Sequence, residues 1–498
     1  MNYMGVDIGT SGCKASVFNE DGAQLATAMR EYDVAFTDDG GAVLDPDEVI
    51  GKCFEVIKEC THGVKSDSVR GIGVSSQGEA FTAIGRNNEI LSKAMVSSDV
   101  RSQPMIEDWV LKFGRDKLYQ ITGHTAHPLF TLFKLLWFRK NANDVWKKTQ
   151  HFFCFEDLFH FRLGLNPAIS WSLAGRTMMF DVRKHEWNDD ILREIGISTD
   201  NLATPLPPGS RVGTIGSEAA HQLNLSRDTF VVTGGHDQTC SALGAGVTEE
   251  GVAMLGSGTV ECICPAFKKP IFSPSLMESN LCTYNYSISD LYTTVAYSLT
   301  GGNILKWFRD EFGSKEIADA KLTGQDAYDL LIAGFNDKPS NLLTLPYFTP
   351  SGTPYFDTQT KGAIMGLQLS THRNEILKAL LEGVSFEMRL NLDILEQAGY
   401  IINELRWVGG AAKSKILAQL KANVMNKKIT IPNVKEAGCL GTAMLACAVD
   451  TGESIRSLAS RWVGQSAVIH PQSVYETWYK GRFETYKSLH KTFKGLSI

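Results

Sequence analysis

The sequence predicts an α/β protein made of two similar halves, and three observations lead to this prediction. The chain has 498 residues, roughly three times the usual size of one domain. Short β-rich segments alternate with amphipathic helical segments, as in sheets covered by helices. A strand, a glycine-rich turn and a second strand in "MGVDIGTSGCKASVFNEDG" return as "GVAMLGSGTVECICPAF" at 251–267. We therefore expect two related domains facing each other, with a boundary near residues 244–251.

The composition excludes several classes of protein. The chain has 49 Lys and Arg against 55 Asp and Glu, a formal net charge of −6, and no basic stripe, which argues against nucleic acid as a partner. Ten cysteines lie in apolar segments without C-x-x-C pairs, so we expect reduced thiols in the core. The sequence shows neither a signal peptide nor an apolar stretch of membrane-spanning length, which predicts a cytoplasmic protein without a membrane partner.

Periodicity places the elements of the first half. The pattern predicts strands near 3–8, 14–18, 25–28 and 70–74, and helices near 46–61, 104–113, 130–141 and 155–162. The proline-rich "TPLPPGS" at 204–210 predicts a loop.

The first hairpin suits a phosphate group. Gly9 and Gly12 permit positive φ and expose backbone N–H groups, and Thr10 and Ser11 add hydroxyl donors. The stretch lacks the spacing of a Walker loop, and no helix follows it as in a dinucleotide fingerprint. A phosphate bound here would be held by a hairpin.

The same hairpin carries two charged candidates. Asp7 could hold Mg²⁺ through waters, because that ion keeps much of its hydration shell and bridges carboxylate to phosphate. Lys14 could supply positive charge to a phosphoryl group in transfer. The alternative is an ordinary hairpin with a surface Asp and Lys.

A candidate catalytic base lies in "VVTGGHDQTCSALGAGV" at 231–247, a strand followed by a small-residue helix. Asp237 falls in the first helical turn, where the helix dipole is expected to lower its pKa and favour a carboxylate that accepts a proton. The alternative is a plain N-cap. His236, His124 and His127 lack a third ligand with zinc-like spacing, so we interpret them as structural.

Two further glycine turns follow in the second half. "LGSGTVE" at 255–261 offers Gly258 and Thr259 in a second phosphate-binding hairpin. "RWVGGAAKSKILAQLKANVMNKKITIP" runs from a strand through Gly409 and Gly410 into a helix, and these glycines leave room for a flat adenine. A simple strand-to-helix turn explains this second pattern equally well.

In this order and spacing, the four elements resemble the FGGY family of carbohydrate kinases, within the actin, Hsp70 and hexokinase superfamily. The resemblance covers nearly the whole chain. The first family signature fits "FTLFKLLWFRKN" at Thr131, Lys134, Trp137 and Asn141, with a departure at Leu129. The second fits "GAIMGLQLSTHRNEILKALLE" at Gly362, Gly366, Glu375, Ala379 and Glu382, with a mild departure at Leu380.

The resemblance implies two ribonuclease-H-like domains of the actin-like ATPase type, flanking a deep catalytic cleft. Residues 1–246 would form the N-terminal domain, which binds the sugar, and residues 247–498 the C-terminal domain, which binds ATP. It further implies that Asp7 is associated with Mg²⁺ and that Asp237 is the catalytic base. The implied phosphate contacts are Thr10, Ser11, Lys14, Gly258 and Thr259, and the implied adenosine contacts are Gly302, Gly410, Ala411 and Ser414.

The acceptor end matches no single specificity. Gln77-Gly78-Glu79 stands where glycerol kinases have Gln-Arg-Glu and xylulokinases have Gln-Met-His. Glu79 could accept hydrogen bonds from neighbouring hydroxyls and so reject analogues that lack them. Asp99 with Arg101 is either part of the sugar site or an internal ion pair that positions the loop. Gln238 resembles a glutamine of glycerol kinases that could orient a hydroxyl.

The sequence thus predicts an ATP-dependent and Mg²⁺-dependent kinase, with Asp237 and Lys14 catalytic, that phosphorylates a hydroxyl of a small sugar, most simply a ketose. Gln77, Glu79, Asp99, Asp237 and Gln238 are the predicted substrate contacts. The alternatives are a kinase for glycerol, another polyol or a sugar acid, and, from another class, a nucleotide-switched binding protein of the actin or Hsp70 kind. We expect a homodimer.

Overall fold

The computed structural model describes residues 1–65, 68–336 and 338–496. Its strands are β1 (Asn2–Ile8), β2 (Gly12–Asn19), β3 (Gln24–Glu31), β4 (Ala35–Phe36), β5 (Ala42–Leu44), β6 (Val69–Ser76), β7 (Thr82–Gly85), β8 (Ala94–Met95), β9 (Thr149–Phe153), β10 (Ala168–Ser170), β11 (Phe180–Asp181), β12 (Glu186–Trp187), β13 (Thr204–Leu206), β14 (Arg211–Thr214), β15 (Phe230–His236), β16 (Gly251–Ser257), β17 (Glu261–Pro265), β18 (Tyr284–Asn285), β19 (Tyr292–Thr293), β20 (Ala296–Ser298), β21 (Leu343–Leu345), β22 (Ala363–Met365), β23 (Ile402–Val408), β24 (Lys428–Pro432) and β25 (Gln465–Ile469).

Its helices are α1 (Pro46–His62), α2 (Ile106–Phe113), α3 (Arg115–Thr122), α4 (Thr131–Asn141), α5 (Asn143–Lys148), α6 (Phe155–Arg162), α7 (Trp171–Arg176), α8 (Asp189–Ile195), α9 (Ser217–Leu223), α10 (Asp237–Gly244), α11 (Pro274–Glu278), α12 (Gly302–Phe312), α13 (Ser314–Thr323), α14 (Ala327–Ala333), α15 (Arg373–Gln397), α16 (Lys415–Met425), α17 (Ala437–Thr451), α18 (Ile455–Trp462) and α19 (Ser473–Phe493). No helix in the described ranges is long and apolar enough to cross a membrane.

Two six-stranded sheets of the same design dominate the fold. The first has the order β3-β2-β1-β6-β15-β14, and the second has the order β20-β17-β16-β23-β24-β25. In both sheets the third, fourth and fifth strands of this order are mutually parallel, and every other neighbouring pair is antiparallel. The hairpin β1-β2 therefore corresponds to β16-β17, which confirms the internal repeat predicted from the sequence.

Local sequence signals explain why these elements form where they do. At the start of α1, Asp45 accepts hydrogen bonds from the backbone N–H groups of Asp47 and Glu48, and Pro46 occupies the first helical turn. The helix then buries an apolar stripe that includes Val49, Val56 and Ile57. This stripe packs on β2 and β3. A capped amphipathic helix on a hairpin closes one side of the first sheet.

The elements predicted for the first half are confirmed, with two differences. The helix expected at 104–113 begins with a 3₁₀ turn at Gln103–Met105 and becomes α-helical at Ile106. The predicted loop at 204–210 begins instead with β13, which pairs in parallel with β10. Proline inside β13 is tolerated because the strand lies in a two-stranded ladder with a free edge. All ten cysteines are buried, as expected.

The helices α10 and α17 join the two halves. The helix α17 comes from the second half of the chain, yet it packs on β1 and β6 of the first sheet and on α10. The helices α10 and α17 approach each other closely because Gly441 has no side chain. A Cβ atom added to Gly441 would lie 2.1 Å from the carbonyl oxygen of Cys240. The two halves therefore share an interface built from small side chains.

Candidate active site

The predicted site residues of the first half lie at one edge of its sheet. The strands β1, β6 and β15 are parallel, so their carboxyl ends meet. These ends are followed by the turn at 9–12, by residues 77–79, which we name the acceptor turn, and by Asp237. Ligands of open α/β sheets bind at such an edge. The fold thus brings together three segments that are far apart in the sequence.

Gln77 ties the first hairpin to the acceptor turn. Its side-chain amide donates to the carbonyl oxygen of Gly9 at 3.0 Å and accepts from Thr10 Oγ1 at 3.1 Å. The Tyr32 hydroxyl donates to the same Gly9 oxygen at 2.6 Å. Both Gln77 and Thr10 are therefore engaged with protein groups, while Ser11 is exposed at the tip of the hairpin. The predicted contacts of Gln77 with the substrate, and of Thr10 and Ser11 with phosphate, remain predictions.

Asp7 faces the N-terminus of α17. Ser75 Oγ donates to Asp7 Oδ1 at 2.8 Å, and Asp7 Oδ2 lies on the side of Gly438, where an added Cβ would be 3.1 Å away. Burial raises the pKa of Asp7. Lys14 is the cross-strand partner of Asp7 in the β1-β2 ladder, and its Nζ lies 2.9 Å from Glu436 Oε2. The two charged candidates of the hairpin thus sit side by side.

Asp237 is the first residue of α10 and does not cap it, which excludes the N-cap alternative for this side chain. The side chain keeps 27 % of its surface exposed, whereas its Oδ1 atom is buried and has no hydrogen-bond partner among the described residues. Burial, followed by the charges of Asp7 and Glu79, raises the pKa of Asp237 to about 7. The expectation that the helix dipole lowers this pKa is therefore wrong, because desolvation and two neighbouring carboxylates outweigh a helix terminus.

Glu79 forms a buried ion pair that the sequence did not reveal. Arg176, at the end of α7, donates through Nε and Nη2 to Glu79 Oε1. The guanidinium lies over the rings of Phe130 and Tyr284, 5.1 and 5.5 Å from their centroids, and its Nη1 is 3.4 Å from His124 Nε2. A cation and an imidazole thus reach the acceptor turn from other parts of the chain.

Residues of the first family signature hold the backbone of Glu79. This residue has φ 63°, a left-handed conformation that is uncommon outside glycine. Its carbonyl oxygen accepts from Thr131 Oγ1 at 2.9 Å and from Lys134 Nζ at 3.2 Å. Lys134 is fully buried, and burial lowers its pKa to about 8. The N-terminus of α4 therefore stabilises the left-handed backbone conformation of Glu79.

Asp99 has the ion-pair geometry that the sequence left as one of two interpretations. Arg101 contacts both carboxylate oxygens of Asp99, and the Ala42 backbone N–H donates to Oδ2 at 3.1 Å. Asp99 is completely buried. Because its acceptors are occupied, the structure favours a role in positioning the loop over direct sugar binding. Gln238 lies beside Asp237 and accepts from Cys262 Sγ at 2.9 Å, so β17 approaches Asp237 closely.

The second sheet brings the predicted nucleotide contacts together in the same way. Gly258 and Thr259 form the exposed tip between β16 and β17. Their carbonyl oxygens accept from the N–H groups of Gly302, at 3.0 Å, and of Asn303, at 3.3 Å, which belong to the first turn of α12. Gly409 follows β23 and packs on this hairpin, since an added Cβ would lie 2.0 Å from the Ser257 carbonyl oxygen.

The other three adenosine candidates, Gly410, Ala411 and Ser414, lie on the turn that follows β23. Gly410 is exposed, and a Cβ added to it would meet no atom of the described residues within 4 Å. Ala411 is partly exposed beside it in a 3₁₀ turn, Gly410–Lys413. Ser414 caps α16, accepting from the Leu417 N–H at 3.3 Å. The backbone of this turn is therefore open for a ligand, while the Ser414 hydroxyl already has a structural partner.

Sequence reasoning missed Arg176, Tyr284 and the position of the histidines. His124 and His236 are buried around the Glu79–Arg176 pair, and burial lowers the pKa of His124 to about 3 and that of His236 well below its usual value. Both imidazoles are therefore neutral near pH 7. One signal was available in the sequence, since His236 directly precedes Asp237.

The donors present suit a nucleotide with Mg²⁺ better than a metal held by protein alone. Within the described ranges, no group of three or more His, Cys, Asp or Glu side chains is placed to hold a metal ion. Asp7 supplies a carboxylate next to the hairpin, which fits an ion that keeps its waters and is shared with phosphate. The exposed tips of the two hairpins, which include Ser11, Gly258 and Thr259, suit the phosphates themselves.

Comparison with known proteins places the chain in one family. Residues 2–244 match the N-terminal domain of the FGGY family of carbohydrate kinases, and residues 254–449 match its C-terminal domain. The chain is 26% identical over 502 residues to the xylulose kinase of Bacillus subtilis, covering 100% of this chain and 98% of the relative. It is 26% identical over 454 residues to the gluconokinase of the same organism, covering 89% of this chain and 87% of the relative.

A solved structure, ligand-bound xylulose kinase from Lactobacillus acidophilus, superimposes with a TM-score of 0.90 at 21% identity, covering 99% of each chain. This likeness confirms the predicted two-domain α/β fold. The two sheets carry the expected residues at their edges, and the two matched domain models together span most of the sequence. The chain therefore belongs to the FGGY family of carbohydrate kinases.

Proposed function

We propose that the protein transfers the γ-phosphoryl group of ATP to a hydroxyl of a small neutral sugar, most simply a ketose as in the xylulose kinases it resembles. The observation that carries this proposal is the buried Oδ1 of Asp237, which lacks a hydrogen-bond partner among the described residues. A buried carboxylate oxygen without a donor is costly, so it is best explained as the acceptor for a ligand hydroxyl.

In the proposed reaction, Asp237 accepts the proton of the acceptor hydroxyl as that oxygen forms its bond to phosphorus and the bond to the leaving diphosphate breaks. Orientation matters more than basicity when the transition state is loose. Lys14 and the N–H groups of the hairpins at 9–12 and 258–259 stabilise the phosphate charge. ATP supplies the phosphoryl group, and Mg²⁺ near Asp7 would balance its charge.

The charges around the acceptor turn favour a neutral acceptor. Glu79 is paired with Arg176, and Asp237 adds a second carboxylate close by. The neighbouring histidines are neutral because burial lowers their pKa. The carboxylate of a sugar acid would therefore be repelled by Glu79 and Asp237, and Arg176 is already paired with Glu79. A ketose or a polyol carries no charge and needs only hydrogen-bond donors and acceptors.

We further propose that residues 1–246 and 247–498 act as two domains, the first binding the sugar and the second the nucleotide, and that the protein works in the cytoplasm as a homodimer. The position of β15 and α10 at the end of the first half supports that boundary. Light scattering on the purified protein tests the oligomeric state.

A coupled ADP-release screen tests the proposed activity. The acceptors are ketopentoses, ketohexoses, deoxysugars, tetritols, gluconate and glycerol, each with ATP and Mg²⁺. We expect ADP formation to depend on an added ketose. Activity with gluconate alone or glycerol alone would refute the preference for a ketose, and equal ATP hydrolysis without any acceptor would favour a nucleotide-switched binding protein.

A further inference from the structure

His236 lies between the predicted base and a tyrosine of the second half of the chain. Its side chain is 7 % exposed. Nδ1 is 2.9 Å from the hydroxyl oxygen of Tyr284, on β18, and Nε2 is 3.2 Å from Asp237 Oδ1. The Nε2 side also faces the acceptor turn, because a Cβ added to Gly78 would lie 3.2 Å from this atom. The imidazole therefore points its Nε2 edge toward the place where an acceptor would bind.

The surroundings select one tautomer of this imidazole. His236 is neutral, because burial and then the positive charge of Arg176 disfavour a second proton. If the proton were on Nδ1, the Nε2 lone pair would lie 3.2 Å from a carboxylate oxygen, and two acceptors would be close together without a proton between them. With the proton on Nε2, the Tyr284 hydroxyl donates to Nδ1 and no acceptors are opposed. The N–H group therefore belongs on Nε2.

This N–H group does not donate a hydrogen bond to Asp237. Although Nε2 and Asp237 Oδ1 are 3.2 Å apart, they are not aligned as a hydrogen bond, and Oδ1 has no partner in the described part of the chain. A donor and an acceptor at this separation can both bond to one hydroxyl about 2.8 Å from each atom. The hydroxyl oxygen would accept from Nε2–H and donate its own proton to Oδ1.

We propose that His236 is a further catalytic residue, which binds the acceptor hydroxyl through Nε2–H while Asp237 takes the proton, and that Tyr284 is a positioning residue that holds the imidazole in this tautomer. The inference rests on the proposed kinase reaction. His236 keeps its own proton throughout. The remaining lone pair of the hydroxyl oxygen is thereby turned toward phosphorus, and such orientation contributes to rate where the transition state is loose.

The test compares four variants under saturating ATP with the best ketose from the screen. His236→Phe removes the N–H donor, and we expect kcat to fall about 100-fold with the KM for ATP unchanged. His236→Gln keeps a side-chain N–H, and we expect it to recover about tenfold of that loss. Tyr284→Phe leaves His236 in place, and we expect kcat to fall about tenfold. The control is Tyr286→Phe, an equally buried tyrosine whose hydroxyl donates to the Val247 carbonyl oxygen at 2.8 Å.

Thermal unfolding and ATP binding show which variants are folded. Should His236→Phe not fold, Tyr284→Phe against its Tyr286 control decides, because neither variant alters the imidazole. The inference is overturned if folded His236→Phe keeps the wild-type kcat, if His236→Gln is as slow as His236→Phe, or if Tyr284→Phe equals its control. Wild-type protein that hydrolyses ATP equally with and without acceptor overturns the proposed function, and the inference with it.

Discussion

Asp237 gives the sharpest quantitative prediction, because its ionisation decides whether the proposed base can work. Burial and the charges of Asp7 and Glu79 raise its pKa to about 7. A base with this pKa is ionised in about one molecule in eleven at pH 6 and in about ten in eleven at pH 8. We therefore expect kcat/KM for the acceptor to rise about tenfold from pH 6 to pH 8. A carboxyl with an ordinary pKa would be ionised throughout this range and give no change.

The assay is initial-rate ADP formation in buffers of constant ionic strength, with Mg²⁺ and ATP in excess at every pH. Asp237→Asn should lower kcat by about 10² to 10⁴ and remove the acidic limb of the profile. Asp228→Asn is the matched control, since this aspartate is exposed two residues before β15. Glu79→Gln removes one of the negative neighbours and should move the acidic limb to lower pH.

Two results would refute this reasoning. A wild-type profile that is flat between pH 6 and pH 8 would mean that the carboxylate is not desolvated in the working enzyme or that another step limits kcat/KM. A folded Asp237→Asn variant that binds ATP and phosphorylates at nearly the wild-type rate would remove Asp237 from the role of base altogether.

Three further predictions concern the hairpin, the acceptor turn and the interface of the halves. Lys14→Met should lower kcat by about 10²-fold in the same assay, whereas Glu436→Gln, which removes only its partly exposed partner, should change the free energy of unfolding by about 1 kcal/mol or less. Lys134→Met removes two hydrogen bonds from a buried amine to backbone carbonyls, at about 1.5 to 3 kcal/mol each, and should raise the KM for the acceptor at least tenfold without affecting the KM for ATP. Gly441→Ala should destabilise the protein by about 1 to 3 kcal/mol or more in urea unfolding, while Gly51→Ala, in open space on α1, should stabilise it by about 1 kcal/mol; equal effects would contradict the close packing of α17.

Local patterns were enough to find the elements and the turns. The hairpin at 9–12, the strand before Asp237 and the second hairpin at 258–259 are visible because glycine turns between β-rich segments are local signals. Parallel pairing then places their carboxyl ends together, which the structure confirms for both sheets. Local sequence therefore located most of the candidate site.

The electrostatics of the site could not be predicted in this way. Near its helix, Asp237 has a favourable dipole, which suggested a lowered pKa, but the net shift depends on burial and on two carboxylates, one on β1 and one in the acceptor turn. Arg176 is 97 residues from Glu79 in the sequence, so the local sequence of the acceptor turn does not indicate that Glu79 pairs with it. The interpretation of three histidines as structural likewise overlooked how close His236 lies to the candidate base Asp237.

By itself, the sequence determined the α/β class, the repeat of the two hairpins, the family resemblance and the identity of the candidate base, because these depend on residue type and on spacing along the chain. Only the tertiary structure decided that α17 of the second half packs on the first sheet and that Asp99 forms an ion pair with Arg101. It also decided that Asp237 Oδ1 lies buried beside Nε2 of the neutral His236 imidazole. Those outcomes depend on desolvation and on charges brought close from distant segments, and both are properties of the packed chain alone.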